Sequence, residues 1–134
     1  MGRMMVSTRG DGFVAITDGL NHWLSENQVR DGLLTLFLCH TSASLTIQEN
    51  TDPDVQADIV DALDRLAPQN VAYRHAMEGA DDMPAHIKTV LCGVSLQVPV
   101  VNARLDLGTW QAVYVVEHRA RAHQRSITMH YLGS

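Results

Sequence analysis

The amino-acid sequence predicts an α+β fold with a mixed or antiparallel sheet. The first observation is the order of the predicted elements: two strands, a helix, two strands, two helices and three strands. Because strands and helices do not alternate regularly, the parallel sheet of an α/β protein is not expected. The second observation is length, since 134 residues suffice for one domain with its own core and not for two. We therefore predict a single domain over residues 1–134.

Four strands are indicated in the first half of the chain. Gly10, Asp11 and Gly12 lie between two strand-like segments, a pattern typical of a β-hairpin. A continuous apolar run then predicts a buried strand, and the segment after it alternates between apolar and polar residues. These four strands are predicted at residues 3–8, 12–17, 33–39 and 44–48.

Two helices in the same half are indicated by start and stop signals. Asp52 followed by Pro53 is a strong helix start, because Asp accepts a hydrogen bond from a free backbone N–H and proline suits the first helical position. Pro68 ends this helix. Asp18 is placed to cap an earlier helix that ends before Gly32.

The second half of the chain predicts one short helix and three strands. Pro84 starts the helix at residues 84–91, and Gly93 stops it. Pro99 places the next strand at an edge or a bulge, because proline lacks the N–H that a central strand donates. The three strands are predicted at residues 94–101, 110–117 and 126–132.

Composition and charge exclude several kinds of partner. The formal net charge is −5 and Lys88 is the only lysine, so the basic surface that nucleic-acid binding requires is not expected. No apolar stretch approaches the roughly 18–20 residues of a membrane span, and no secretory signal is seen. The two cysteines, Cys39 and Cys92, lack a CxxC spacing. We therefore expect a reduced, cytoplasmic protein.

Three of the seven histidines stand apart from the others. His40, His75 and His86 each lie where a regular element starts or stops, in the polar neighbourhoods CHTSAS, YRHAMEG and DDMPAHIK. Three neutral imidazoles can bind a divalent metal and leave one coordination position open. Their spacing matches no local ligand motif, so the fold would have to bring them together. The alternative is that they are structural histidines of the core or of loops.

His40 follows a strand that stops in a polar segment containing Thr41 and Ser42. A Cys39–His40 nucleophile pair is not expected, because neighbouring residues of a strand point to opposite faces. A serine hydrolase is disfavoured too, since no GxSxG elbow is present. Asp81 and Asp82 precede the short helix and could cap it or orient a ligating imidazole.

The segment RLDLGTWQAVYVVEHR carries a second group of candidates. Trp110 and Gln111 could anchor packing, or place a stacking face and an amide beside a heterocycle. His118 is a fourth candidate ligand or a base. Arg119 could bind a phosphate or a carboxylate.

Together, the motifs HTSASLTIQEN, HAMEGADDMPAHIK and LGTWQAVYVVEHR resemble the YjbQ family, also called UPF0047. The resemblance extends from about Val6 to Gly133. It implies a mixed sheet bent into a half-barrel, three helices and assembly as a homotrimer. One departure is Ala103, where the family pattern usually has glycine, and alanine would strain this turn if the position needs positive φ.

The resemblance also implies a site and an activity. A metal would be bound by His40, His75 and His86, with zinc favoured over magnesium because imidazoles suit transition metals. The implied activity is that of a secondary thiamine-phosphate synthase, which joins a pyrimidine methyl diphosphate to a thiazole phosphate and releases pyrophosphate. Candidate catalytic residues are Glu49, Asp82, His118 and Arg119. Candidate substrate-binding residues are Thr41, Ser42, Asn50, Trp110 and Gln111.

Two rival functions stay open on the sequence. One is a metal-dependent hydrolase in which metal-activated water is the nucleophile and Glu49 or Asp82 is the base. The other is a trimeric protein that binds a metal or a small anion without turnover.

Overall fold

The computed structural model describes residues 1–134 and contains three helices and eight strands. In chain order the elements are β1 (Gly2–Ser7), β2 (Gly12–Ala15), α1 (Thr17–Glu26), β3 (Gly32–Leu38), β4 (Ala43–Glu49), α2 (Pro53–Leu66), α3 (Asp82–Cys92), β5 (Ser95–Val101), β6 (Arg104–Leu105), β7 (Gln111–Glu117) and β8 (Gln124–Gly133). The three helices are too short or too polar to span a membrane.

The strands form a curled half-barrel made of two sheets. The larger sheet has the order β1-β8-β3-β5-β6, and the smaller sheet has the order β2-β7-β4. The α+β class, the three helices and the half-barrel are confirmed. Every strand pair is antiparallel, so the mixed sheet implied by the family resemblance is corrected to an antiparallel one.

The first two strands do not form the predicted hairpin. β1 pairs with β8, and β2 pairs with β7 in the other sheet. Gly10 and Gly12, with φ of 144° and 136°, carry the chain from one sheet to the other. A turn signal shows that the chain changes direction, but the choice of pairing partner depends on strands about a hundred or more residues away.

A short strand that the sequence did not predict, β6, follows a tight turn after β5. Val101 pairs with Arg104, which leaves Asn102 and Ala103 as the two turn residues, with φ of 50° and 66°. Positive φ at both positions is typical of the type I′ turn that closes two-residue hairpins. The strain expected from alanine at this position is therefore present, and glycine would relieve it.

The main core lies between α1 and the inner faces of both sheets. Leu20 and Leu24 of α1 are fully buried, as are Leu34 of β3 and Val113 and Val115 of β7. The smaller sheet is covered on its other face as well, because α3 packs on β4. This packing brings the start of α3 to the segment after β3 and to the end of β7.

Candidate metal centre

Two histidines and one aspartate meet at the start of α3. One ligand atom from each of His75, Asp82 and His86 lies within 4.8 Å of the others. Asp82 and His86 share one face of α3, since residues four apart are neighbours on a helix, and His75 comes from the loop before it. Oδ2 of Asp82 lies 2.7 Å from Nε2 of His75 and 3.1 Å from Nε2 of His86.

The contact made by Nδ1 of His86 determines whether Nε2 carries a proton or a lone pair. Nδ1 lies 2.8 Å from the carbonyl oxygen of Thr41, which only accepts hydrogen bonds, so Nδ1 carries a proton. In the neutral ring Nε2 then presents a lone pair to the carboxylate of Asp82, and two lone pairs would repel each other. A cation, either a proton or a metal ion, belongs between them. A backbone carbonyl on the far nitrogen is also the usual support of a metal-binding histidine.

Arg119 holds Asp82 in place rather than standing free to bind an anion. Its Nη1 donates to Oδ1 of Asp82 at 2.8 Å, which leaves Oδ2 for the histidines. Its Nε donates to Asp81 at 3.0 Å, and its Nη2 donates to the carbonyl oxygen of Glu78 at 3.0 Å. The predicted anion contact is therefore replaced by a positioning role.

The carboxyl of Asp82 is kept ionised, as a metal ligand requires. Its burial alone would raise its pKa, but the hydrogen bond from His75 and the nearby charges of His86 and Arg119 outweigh burial and lower the pKa. The pKa of Asp81 is also lowered, because the N–H of Ala120 and the side chain of Arg119 outweigh its burial. Neither aspartate side chain caps α3.

His40 lies outside this group. Its Nε2 accepts the backbone N–H of Ser126 at 2.7 Å, and its Nδ1 faces Nη1 of Arg125 at 3.4 Å. Burial and the charge of Arg125 lower the pKa of His40. Within this chain, the candidate metal group therefore contains His75, His86 and Asp82, and not the predicted His40.

Ser42 and Thr41 make different contacts, and their predicted substrate-binding roles stay predictions. Arg125 donates to the Ser42 hydroxyl at 3.0 Å, and Ser42 is buried. Thr41 contributes its backbone carbonyl to His86, while its side chain is exposed.

His118 directly follows β7, is buried, and is not a member of the candidate metal group. Its Nε2 lies 2.8 Å from the hydroxyl of Ser44. Burial, together with the charge of Lys88, lowers the pKa of His118 to about 4. The ring is therefore neutral at pH 7.

Known proteins are similar to this chain in sequence and in fold. The sequence model of a family described as "UPF0047 protein YjbQ-like" matches residues 3–134. The UPF0047 protein YjbQ of Salmonella typhimurium is 50% identical over 123 residues, covering 91% of this chain and 89% of that protein.

The chain belongs to the UPF0047 family.

Another relative and two solved structures are similar to this chain over almost its whole length. The UPF0047 protein sll1880 of Synechocystis is 44% identical over 131 residues, covering 97% of this chain and 89% of that protein. A crystal structure of a YjbQ/UPF0047 protein from Clostridium acetobutylicum superposes with a TM-score of 0.90 at 36% identity, covering 98% of this chain and 100% of that one. A conserved hypothetical protein from Thermus thermophilus superposes with a TM-score of 0.89, also at 36% identity, with 98% and 100% covered.

Four residues predicted for the site of this UPF0047 chain lie far from the metal group. Glu49 pairs with Gln111 at one end of β4 and β7, whereas Ala43 and Glu117 pair at the end near α3. Six residues of strand separate the two ends, or about 20 Å. The four residues at the far end are Glu49, Asn50, Trp110 and Gln111.

At this far end the side chains support turns and helix α2. Glu49 accepts the backbone N–H of Asp52 at 2.9 Å, and Gln111 accepts that of Gly108 at 2.8 Å. Asn50 donates to the carbonyl oxygen of Thr109 at 3.4 Å. Trp110 is 62% exposed. Within one chain these residues lie outside the candidate metal group.

Two parts of this arrangement were not predicted with the contacts that the structure shows, although Asp82 was among the candidate site residues. Asp82 was expected to be a base or a support for a ligand, although its i,i+4 spacing from His86 places both on one helix face. The other part is a buried ion pair between Glu117 and Arg125, in which Arg125 Nε donates to Glu117 at 2.8 Å. A glutamate that ends the apolar strand AVYVVE was the available signal.

Proposed function

We propose that this UPF0047 protein binds a divalent transition metal, with zinc foremost, at His75, Asp82 and His86. The observation that carries the proposal is the fixed tautomer of His86, whose Nε2 lone pair faces a carboxylate. Two imidazoles and one carboxylate suit zinc and similar metals better than magnesium, which prefers carboxylates and water. Arg119 supports the site by holding Asp82 through its other oxygen.

We propose further that the ligand is small and phosphorylated, and that the reaction is the secondary thiamine-phosphate synthase implied by the family resemblance. When bound, the ion supplies positive charge to the oxygens of a diphosphate leaving group. His75 offers the access that such a ligand needs, since its side chain is 47% exposed. His75 also lines a cavity of about 230 Å³ formed by the loop before α3.

A metal-dependent hydrolase is the second candidate, and the donor set favours it. Two histidines and a carboxylate are the ligands by which several zinc hydrolases hold their metal. The distance of Trp110 from the metal group also removes the predicted stacking face from a site within one chain.

The test is turnover by metal-depleted protein reloaded separately with zinc, manganese or magnesium. With a hydroxymethylpyrimidine diphosphate and a thiazole phosphate, we expect thiamine phosphate and pyrophosphate in equal amounts from the zinc or manganese form. His75→Ala should lose this turnover, and His22→Ala, at an exposed histidine on α1, should keep it. Hydrolysis of phosphate esters without coupling would favour the hydrolase, and metal binding without turnover would favour a binding protein.

We also propose that the protein is a homotrimer assembled through the outer face of the larger sheet. This face carries exposed apolar side chains at Met5, Val101 and Leu132. Leu132→Glu is expected to lower the mass measured by light scattering from three chains to one, because it places a charge in the contact. Leu66→Glu, at an equally exposed leucine on α2, should leave the mass unchanged. A single-chain mass for the wild-type protein would overturn the proposal.

A further inference from the structure

The backbone of Ser126 fixes the tautomer of His40. Its N–H donates to Nε2 of His40 at 2.7 Å, and a backbone N–H has no other role than donor. Nε2 therefore carries the lone pair, and the neutral ring carries its proton on Nδ1. The lowered pKa of His40 agrees with a neutral ring.

The contact between His40 and Arg125 is consequently one between two donors. Nη1 of Arg125 lies 3.4 Å from Nδ1 of His40, and a guanidinium accepts no hydrogen bonds. The other nitrogens of Arg125 are used, since Nε and Nη2 donate to Glu117 and Nη2 also donates to Ser42. Nη1 has no acceptor, although the Arg125 side chain is only 4% exposed.

A buried guanidinium N–H without an acceptor is costly, so an acceptor that satisfies it binds favourably. We propose that His40 Nδ1 and Arg125 Nη1 together bind an oxygen of a small anion, either a carboxylate or a phosphate. Two N–H groups this close suit one shared oxygen or two oxygens of the same group.

The surroundings of His40 indicate what else such a ligand carries. His40 lines a cavity of about 510 Å³, within the usual size of small-molecule sites. Most of the other lining residues are apolar, among them Phe37, Leu38 and Val94. The ligand is therefore an organic acid or a phosphate ester with an apolar body.

This anion site adjoins the candidate metal centre, because Thr41 follows His40 and its carbonyl oxygen binds His86. That the bound anion is the substrate rests on the proposed function. The anion site itself does not, since neither His40 nor Arg125 belongs to the metal group. Testing metal-free protein therefore separates a failure of this inference from a failure of the metal proposal.

The experiment is an NMR titration of metal-free and zinc-loaded protein with inorganic phosphate and, separately, with butyrate. We expect the ring nitrogens of His40 and the Arg125 side chain to shift in both forms of the protein. His40→Gln removes the Nδ1 donor, while its amide oxygen can still accept the N–H of Ser126. It should weaken binding about tenfold, as expected for one hydrogen bond to a charged group. Its zinc content should equal that of the wild type.

His22→Gln, at an exposed histidine on α1, is the matched control and should bind both anions normally. Unchanged affinity in His40→Gln, or no response of the metal-free wild type to either anion, would overturn the anion site. If the metal-free wild type responds to neither anion, an ordered water or a second copy of the chain supplies the acceptor for Nη1 of Arg125. Loss of zinc from His40→Gln would also overturn it, because His40 would then be a ligand. Response to only one probe identifies the anion as a phosphate or a carboxylate.

Discussion

Asp82→Asn is expected to lower zinc affinity more than about 100-fold. Losing a residue that only supports a ligand typically costs about 10–100-fold, so losing a charged ligand costs more. The carboxylate faces both Nε2 atoms through a single oxygen, and an amide in its place brings no negative charge. Elemental analysis and competition with a chelator of known affinity would measure the change.

Asp81→Asn is the matched control for this prediction. Asp81 also bonds Arg119, but its carboxylate faces Ala120 and lies outside the group of three. The Asp81→Asn variant should still bind about one zinc ion per chain. Because Asp82 is buried and its loss disturbs Arg119, the half-exposed His75→Ala provides a second variant with less risk to folding. Normal zinc binding by both Asp82→Asn and His75→Ala would refute the assignment of the metal centre.

The second large effect concerns the buried pair of Glu117 and Arg125. Glu117→Gln is expected to lower the free energy of unfolding by about 3–5 kcal/mol, because it leaves the Arg125 charge buried without a counter-charge. Both residues are at most 3% exposed, and Thr8 adds a hydrogen bond to Glu117 at 2.7 Å. Urea unfolding at pH 7 would measure the loss.

The double variant Glu117→Leu with Arg125→Met tests the cause of that loss. Replacing both charges with apolar residues of similar size is often neutral or stabilising, so much of the stability should return. Glu26→Gln, at an exposed pair with His22, should change stability by less than about 1 kcal/mol. A comparably small loss in Glu117→Gln would show that the pair is not a major source of stability.

The pH dependence of the same pair has a definite sign. Burial would raise the pKa of Glu117, but hydrogen bonds from Arg125 and Thr8 outweigh it, and the pKa in the folded protein is lowered. The stabilisation is therefore present above the pKa of the unfolded state and lost as pH falls through that of the folded state. The difference in stability between wild type and Glu117→Gln should accordingly shrink in acid.

Local signals predicted the helices and most of the strands. Helix α2 illustrates this, because Asp52 accepts the N–H of Asp54 and Pro53 occupies the first helical turn, both within a few residues of sequence. The strand that stops in a polar segment at His40 likewise made this histidine a candidate site residue. Where a helix starts or a strand ends depends mainly on residues a few positions away in the chain. Such signals can therefore be read from the sequence alone.

What each polar side chain contacts was decided by the tertiary structure. The sequence determined the α+β class, the three helices and most of the strands, and it marked His75 and His86 as candidate site residues. Only the folded chain could show that β1 pairs with β8, and that Asp82 rather than His40 lies beside His75 and His86. Ring orientation depends on donors and acceptors supplied by distant segments, such as Ser126 for His40 and Thr41 for His86. These contacts form only when packing brings the segments together.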